Sequence, residues 1–133
     1  MKIFVSHASS DRAAASDLGR ELRLQGYIVW DSSRIEPGQN PSAAAANAME
    51  TADALLVLWS TKSSKSLWVR RELEYALARP QFEDRVILVA LESGVQETAP
   101  WVMRRLWTVQ GNAQRGWASV IEAVKGLSDD PAR

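Results

Sequence analysis

Hydrophobic residues in this chain form short continuous runs, and amphipathic stretches of helical period separate them. The central runs are apolar at every position, which is typical of parallel strands that are buried on both faces. The predicted strands are Lys2–Ser6, Tyr27–Trp30, Ala54–Trp59, Arg85–Leu91 and Leu106–Val109. The predicted helices are Asp11–Gln25, Pro41–Thr51, Ser66–Arg79 and Trp117–Leu127.

Several residues at the predicted boundaries are common at helix ends. Ser9 or Ser10 is expected to cap the first helix, and Pro41 fits the first turn of the second. Ser66 opens the third helix and Pro80 ends it, because proline cannot continue a helix.

Alternating strands and helices predict an α/β protein. Right-handed crossovers favour a three-layer, flavodoxin-like domain in which helices cover both faces of a five-stranded parallel sheet. We expect one domain over residues 1–133, with 128–133 as a frayed tail. Ligands of such sheets bind beyond the carboxyl ends of the strands. The residues at these ends are Ser6, His7, Trp30, Asp31, Ser60, Thr61 and Glu92.

Composition excludes several kinds of site. The 133 residues include sixteen Lys and Arg against sixteen Asp and Glu, so net charge gives no support for direct nucleic-acid binding. The chain has no cysteine and one histidine, His7, which excludes thiolate metal sites and multi-histidine zinc sites. No metal and no resident cofactor is therefore expected. No apolar run is long enough to span a bilayer, and no signal peptide is recognisable, so we expect a cytoplasmic protein without membrane attachment.

Common phosphate and phosphorylation motifs are incomplete. Gly111 and Gly116 have P-loop spacing, but Trp117 and Ala118 replace the required Lys and Ser or Thr. A receiver domain would need an aspartate at the end of the third strand, where this chain has Ser60. No Ser and carboxylate are recognisable as triad partners of the single histidine.

The third predicted helix carries the most informative pattern. Its core stripe is predicted to contain Val69, Leu73, Ala76 and Leu77, and a second row contains Trp68, Glu72 and Tyr75. Glu72 then lies at the border between core and solvent, while Arg71 and Glu74 point outwards. Two interpretations stay open: a partly desolvated carboxylate beside a tryptophan, or a structural carboxylate paired with a neighbouring arginine.

The combined motifs resemble those of the Toll/interleukin receptor (TIR) domain family. Residues 2–11 are similar to its first box, Asp31–Gly38 to its second box, the BB loop, and Trp68-x-x-x-Glu72 to the helix of TIR domains that consume NAD. The resemblance covers essentially the whole chain. It implies bacterial NAD-cleaving relatives, in which NAD+ is the substrate and no cofactor is needed. Many relatives have a cysteine where this chain has Val69.

The resemblance also implies roles for particular residues. Glu72 would be the catalytic carboxylate and Trp68 its partner on the helix. The NAD cleft would be lined by Ser6, His7, Trp30, Asp31, Arg34, Ser60 and Trp68. The products would be nicotinamide with ADP-ribose or a cyclic ADP-ribose isomer, and the biological role would be antiphage immunity.

The resemblance leaves other functions open. A TIR domain without activity would be an adaptor in signalling or virulence that binds other TIR domains, and a nucleoside or nucleotide glycosyl transferase is a third hypothesis. The resemblance to TIR enzymes also implies activation by self-assembly, with the BB loop at the contact, and a separate sensor or effector chain as a further partner.

Overall fold

One sheet of five strands organises the protein, and the computed structural model describes residues 1–31, 35–99 and 106–128. The strands are β1 (Lys2–Ser6), β2 (Ile28–Trp30), β3 (Ala54–Trp59), β4 (Val86–Ala90) and β5 (Trp107–Gln110). The helices are α1 (Arg12–Leu24), α2 (Pro41–Thr51), α3 (Leu67–Leu77) and α4 (Ala118–Ser128). Short 3-10 turns lie at Ser9–Asp11, Ser63–Lys65, Pro80–Phe82 and Val95–Thr98.

The strands pair in the order β2-β1-β3-β4-β5, and every pair is parallel. This order confirms the predicted flavodoxin-like α/β fold. The chain reverses its direction of travel across the sheet between β1 and β3, where Phe4 of β1 is in register with Leu55 of β3. Such a reversal opens a crevice at the carboxyl ends of the two strands, which is the usual ligand site of this architecture.

Both faces of the sheet are covered, as two-sided apolar strands require. The core on one face includes Phe4, Leu55, Val57 and Trp59 of the sheet, and residues of α2 and α3. The core on the other face includes Ile3, Val5, Leu56 and Leu58, and residues of α1 and α4. Because successive strand residues point to opposite faces, Ser6 follows Phe4 onto the face that α2 and α3 cover.

Most predicted element boundaries shift by one or two residues. Strand β2 begins at Ile28, one residue later than predicted, and β5 covers Trp107–Gln110 instead of 106–109. Helix α4 includes Ser128, the first residue of the predicted tail, and the rest of that tail lies outside the described residues. The predicted serine cap of α1 is wrong. Ser9 and Ser10 belong to a 3-10 turn, and α1 has no side-chain cap.

Helices α2 and α3 each begin with a side-chain cap. Asn40 accepts hydrogen bonds from the backbone N–H groups of Ser42 and Ala43 and starts α2. The hydroxyl of Ser66 accepts from the N–H of Val69, which confirms the predicted start of α3. Leu77 departs from the predicted core stripe: it is exposed, because it lies in the last turn of α3, beyond the edge of the core.

At the amino edge of the sheet, a buried arginine joins the beginning and the end of the described chain. Arg85 precedes β4, and its guanidinium donates to the backbone carbonyls of Asp53 and Leu127. The same guanidinium lies 3.8 Å from the sulfur of Met1. In the described part of the chain, no helix combines the length and apolar character needed to cross a membrane.

Candidate active site

A buried hydrogen bond joins β1 to α3 at the carboxyl edge of the sheet. The hydroxyl of Ser6 donates to Oε1 of Glu72 over 2.6 Å. Ser6 is 1% exposed and Glu72 is 7% exposed, so this contact is screened from bulk water. The sequence separation of 66 residues means that only the folded sheet brings the two side chains together.

The Glu72 carboxylate is buried without a compensating cation. Among the described residues, no lysine or arginine nitrogen lies within 4.0 Å of it. Burial raises the pKa of Glu72 to about 7, since the charged form loses solvation, and the Ser6 hydrogen bond partly opposes this change. At neutral pH the ionised and protonated forms are therefore present in similar amounts. Such a carboxylate is typical of functional sites.

Glu72 borders a cavity of about 190 Å³ between α2 and α3. The lining residues are Ser42, Ala45, Ala46, Met49, Trp68, Arg71, Glu72 and Tyr75. An apolar cavity of about 150 Å³ can hold benzene, whereas pockets for drug-sized ligands measure about 300–1,000 Å³. The space beside Glu72 thus suits a single ring, and it is smaller than an entire dinucleotide requires.

A larger hollow lies away from this carboxylate. It measures about 630 Å³, and its lining includes Leu77, Arg79, Phe82, Leu106 and Trp107. These residues surround the end of α3 and the beginnings of β4 and β5, at the amino side of the sheet. Size favours the larger hollow, but chemistry favours the smaller one, because it is bordered by Glu72, a buried carboxylate that has no cationic partner among the described residues.

The helix row that contains the acidic residue is arranged largely as predicted. Trp68, Glu72 and Tyr75 line the same cavity. Arg71 and Glu74 are exposed, as expected, although Arg71 also borders the cavity. Glu72 is buried more deeply than the predicted border position, because its carboxylate projects towards β1, where the hydroxyl of Ser6 donates a hydrogen bond to it.

Other predicted site residues occupy the carboxyl edge with different partners. The ring of Trp30 stacks on Phe4, with a centroid separation of 4.7 Å. His7 and Asp31 are buried, and Nδ1 of His7 lies 2.8 Å from the carbonyl of Ala8. Since a carbonyl only accepts, that nitrogen carries the proton. Arg34 lies outside the described residues.

Ser60 belongs to a separate hydrogen-bonded cluster after β3. Its hydroxyl donates to the carboxylate of Asp11 over 2.6 Å, and its backbone N–H donates to the hydroxyl of Ser63. Ser60 is not among the residues that line the Glu72 cavity. Sequence analysis did not identify Asp11 as its partner, and the position of Asp11 in the first motif was the available signal.

The α2 side of the cavity was also missed by sequence analysis. Ser42, Ala45 and Met49 supply that wall. The spacing of Ala45 and Met49 indicates one helix face, but their small or flexible side chains carry no chemical signal. In the described residues, no group of three or more histidine, aspartate or glutamate side chains could hold a metal ion.

Comparison with known proteins identifies matching sequence and fold. A family model described as "TIR domain" matches residues 3–122. Among solved structures, the chain is similar to the TIR domain of the Toll-related receptor TRR-2 from the lower metazoan Hydra magnipapillata. The TM-score is 0.76 at 14% identity, over 96% of this chain and 98% of that chain. This likeness concerns the fold. No curated protein matches.

Proposed function

Because the chain belongs to the TIR domain family, we propose that it is a member that cleaves NAD+ between nicotinamide and ribose. The observation that carries this proposal is the buried Glu72 carboxylate, which has no cationic partner among the described residues and borders a ring-sized cavity beside Trp68. A cationic pyridinium or ribosyl group would supply the missing positive charge.

The chemistry requires one carboxylate and no protonating acid. The bond between ribose C1′ and the nicotinamide nitrogen breaks, and its electron pair stays on the nitrogen, so the cationic ring leaves as neutral nicotinamide. Positive charge then develops on the ribose. Ionised Glu72 would stabilise this charge and orient the ribose hydroxyls. Water capture at C1′ gives ADP-ribose and releases one proton, whereas capture by an adenine nitrogen gives a cyclic isomer.

Each remaining predicted residue has a more limited role in this proposal. Trp68 would form a wall against the leaving ring, and the Trp30–Phe4 stack would close the neighbouring edge. His7 and Asp31 would border the rest of the dinucleotide, with Ser60 and Arg34 nearer the diphosphate. A dinucleotide extends beyond the cavity of about 190 Å³, so part of its contact surface would come from a neighbouring copy in a self-assembled form.

The decisive experiment is incubation of the protein with NAD+, with and without a crowding agent, followed by chromatographic identification of the products. Glu72→Gln should abolish nicotinamide release, because the amide keeps the shape but cannot carry the negative charge. Glu74→Gln is the matched control, since Glu74 is an exposed carboxylate on the same helix. Equal turnover by the wild type and Glu72→Gln would refute the assignment.

A second function is favoured by the described part of the BB loop. Glu36, Pro37 and Gly38 are all exposed, so this segment is accessible to another TIR domain. The adaptor hypothesis for signalling or virulence predicts tight binding to a second TIR domain and no NAD+ turnover at any protein concentration. Substitution of Pro37 should then weaken that binding without altering the stability of the fold.

A separate experiment in cells addresses the biological role. We propose that an NAD-cleaving protein of this kind acts in the cytoplasm in antiphage defence and that a separate sensor or effector chain supplies its trigger. Expression in infected and uninfected bacteria would test this role: NAD+ should fall only after infection, and only with Glu72 intact.

A further inference from the structure

The hydroxyl of Ser6 is directed at the acidic group and not into the cavity. Ser6 is 1% exposed and contributes no surface to the lining of the cavity beside Glu72. Its hydrogen bond to Oε1 measures 2.6 Å, which is short for an O–H···O contact and typical of a charged acceptor. A substrate in the cavity would therefore meet Glu72 and not Ser6.

We propose that Ser6 is a positioning residue that favours the ionised form of the Glu72 carboxylate and fixes its second oxygen towards the cavity. This inference rests on the proposed function for its effect on turnover, but its effect on Glu72 itself does not depend on any activity. It also changes the role of Ser6 from the substrate contact expected from the family resemblance to an indirect one.

The surroundings of Glu72 give Ser6 this influence. From α3, Arg71 and Tyr75 border the cavity, and from α2 the wall consists of neutral side chains. His7 and Asp31 are the other titratable groups buried at this edge. None of the described residues makes an ion pair with Glu72, and the Ser6 hydroxyl is its one polar partner among them. Without that hydroxyl, no hydrogen bond offsets the free-energy cost of burying the ionised carboxylate.

Ser6→Ala tests the proposal through the titration of the Glu72 carboxyl group. Selective 13C labelling of glutamate carboxyl groups gives a titration signal for each, and Glu72→Gln identifies the one from Glu72 by its absence. The burial-raised pKa of about 7 places this titration in an accessible range. A hydrogen bond to a charged group corresponds to a shift of about 1 pH unit, so the Glu72 midpoint should move upwards by that amount in Ser6→Ala.

Turnover provides the second readout. At pH 7, an upward shift of about 1 pH unit reduces the ionised fraction from about one half to about one tenth, so kcat should fall about fivefold. At about pH 9 the wild-type rate should return, because both proteins are then ionised. At that pH KM should also match the wild-type value, since Ser6 does not face the substrate. Ser6→Thr, which keeps a hydroxyl, should restore the midpoint and the rate.

Ser63→Ala is the matched control, because Ser63 is also a fully buried serine but bonds to Ser60 instead of Glu72. It should leave the Glu72 midpoint in place, whatever its effect on stability. An unchanged midpoint in folded Ser6→Ala would overturn the proposal, as would a higher KM with unaltered kcat. A shifted midpoint in a protein that never cleaves NAD+ would uphold the role of Ser6 and refute only the proposed function.

Discussion

Glu72→Gln should stabilise the protein at alkaline pH, even though we expect it to abolish activity. Burial raises the pKa of Glu72 from 4.5 to about 7 in the folded state, while the unfolded chain keeps the ordinary value. Below about pH 4.5 the side chain is protonated in both states, and it contributes no pH dependence. As the pH rises from 4.5 to about 7, the unfolded state loses the proton first, so the folded wild type loses stability.

The size of this stability loss follows from the difference between the two pKa values of Glu72. A difference of about 2.5 pH units, at about 1.36 kcal/mol for each unit, corresponds to about 3 kcal/mol. Above about pH 8 the wild type should therefore be less stable than Glu72→Gln by about 3 kcal/mol, and near pH 4 the two should be similar. The glutamine carbonyl can still accept from the Ser6 hydroxyl, so the substitution tests charge and not the loss of the contact.

Urea unfolding, followed by tryptophan fluorescence at several pH values, measures this difference. The other ionisable groups are the same in both proteins, so subtracting the two stability curves isolates position 72. Glu74→Gln, which changes an exposed carboxylate on the same helix, should stay within about 0.5 kcal/mol of the wild type throughout. A stability difference between Glu72→Gln and wild type that does not grow with pH would refute the reasoning.

Three further predictions concern the packing around Gly111, the hydrogen bond between Trp117 and Asp17, and self-assembly. Gly111→Ala should destabilise the fold by about 1–3 kcal/mol in denaturant unfolding, because its Cβ would lie 3.0 Å from the buried side chains of Trp117 and Val120. Gly126→Ala is the control, since its Cβ would make only an ordinary contact at 3.5 Å. Trp117→Phe should raise the pKa of Asp17 measured by NMR, since the indole N–H donates to that carboxylate and is the main cause of its lowered pKa. NAD+ turnover per molecule should rise with protein concentration or crowding, and a constant specific rate in a dilution series would contradict activation by self-assembly.

The fold was largely predictable because its signal is local and repeated. Continuous apolar runs indicated strands buried on both faces, and the structure confirms them in β3 and β4, where every residue is buried. The boundaries were less predictable. Helix α1 starts directly after Asp11, whose carboxylate does not cap the helix but accepts from Ser60, 49 residues away, and no local pattern predicts such a partner.

The residues of α3 that line the cavity were predictable, but the extent to which Glu72 is buried was not. Helical periodicity placed Trp68, Glu72 and Tyr75 in one row, and all three line the cavity. Periodicity could not decide between a carboxylate paired with arginine and a desolvated one, because that choice depends on what β1 places opposite the helix. The structure places Ser6 there, and no described lysine or arginine forms an ion pair with Glu72. How NAD+ binds stays a prediction.

The contacts of Arg85 with Met1 and Leu127 have a practical consequence for work on this protein. Because Met1 and Leu127 contact the same guanidinium, attachment points near either one face away from the carboxyl edge, where Glu72 lies. A reporter protein or an inducible dimerisation tag could therefore be fused there without obstructing the candidate cleft. Drug-controlled clustering of such fusions would separate the effect of proximity from that of any natural trigger.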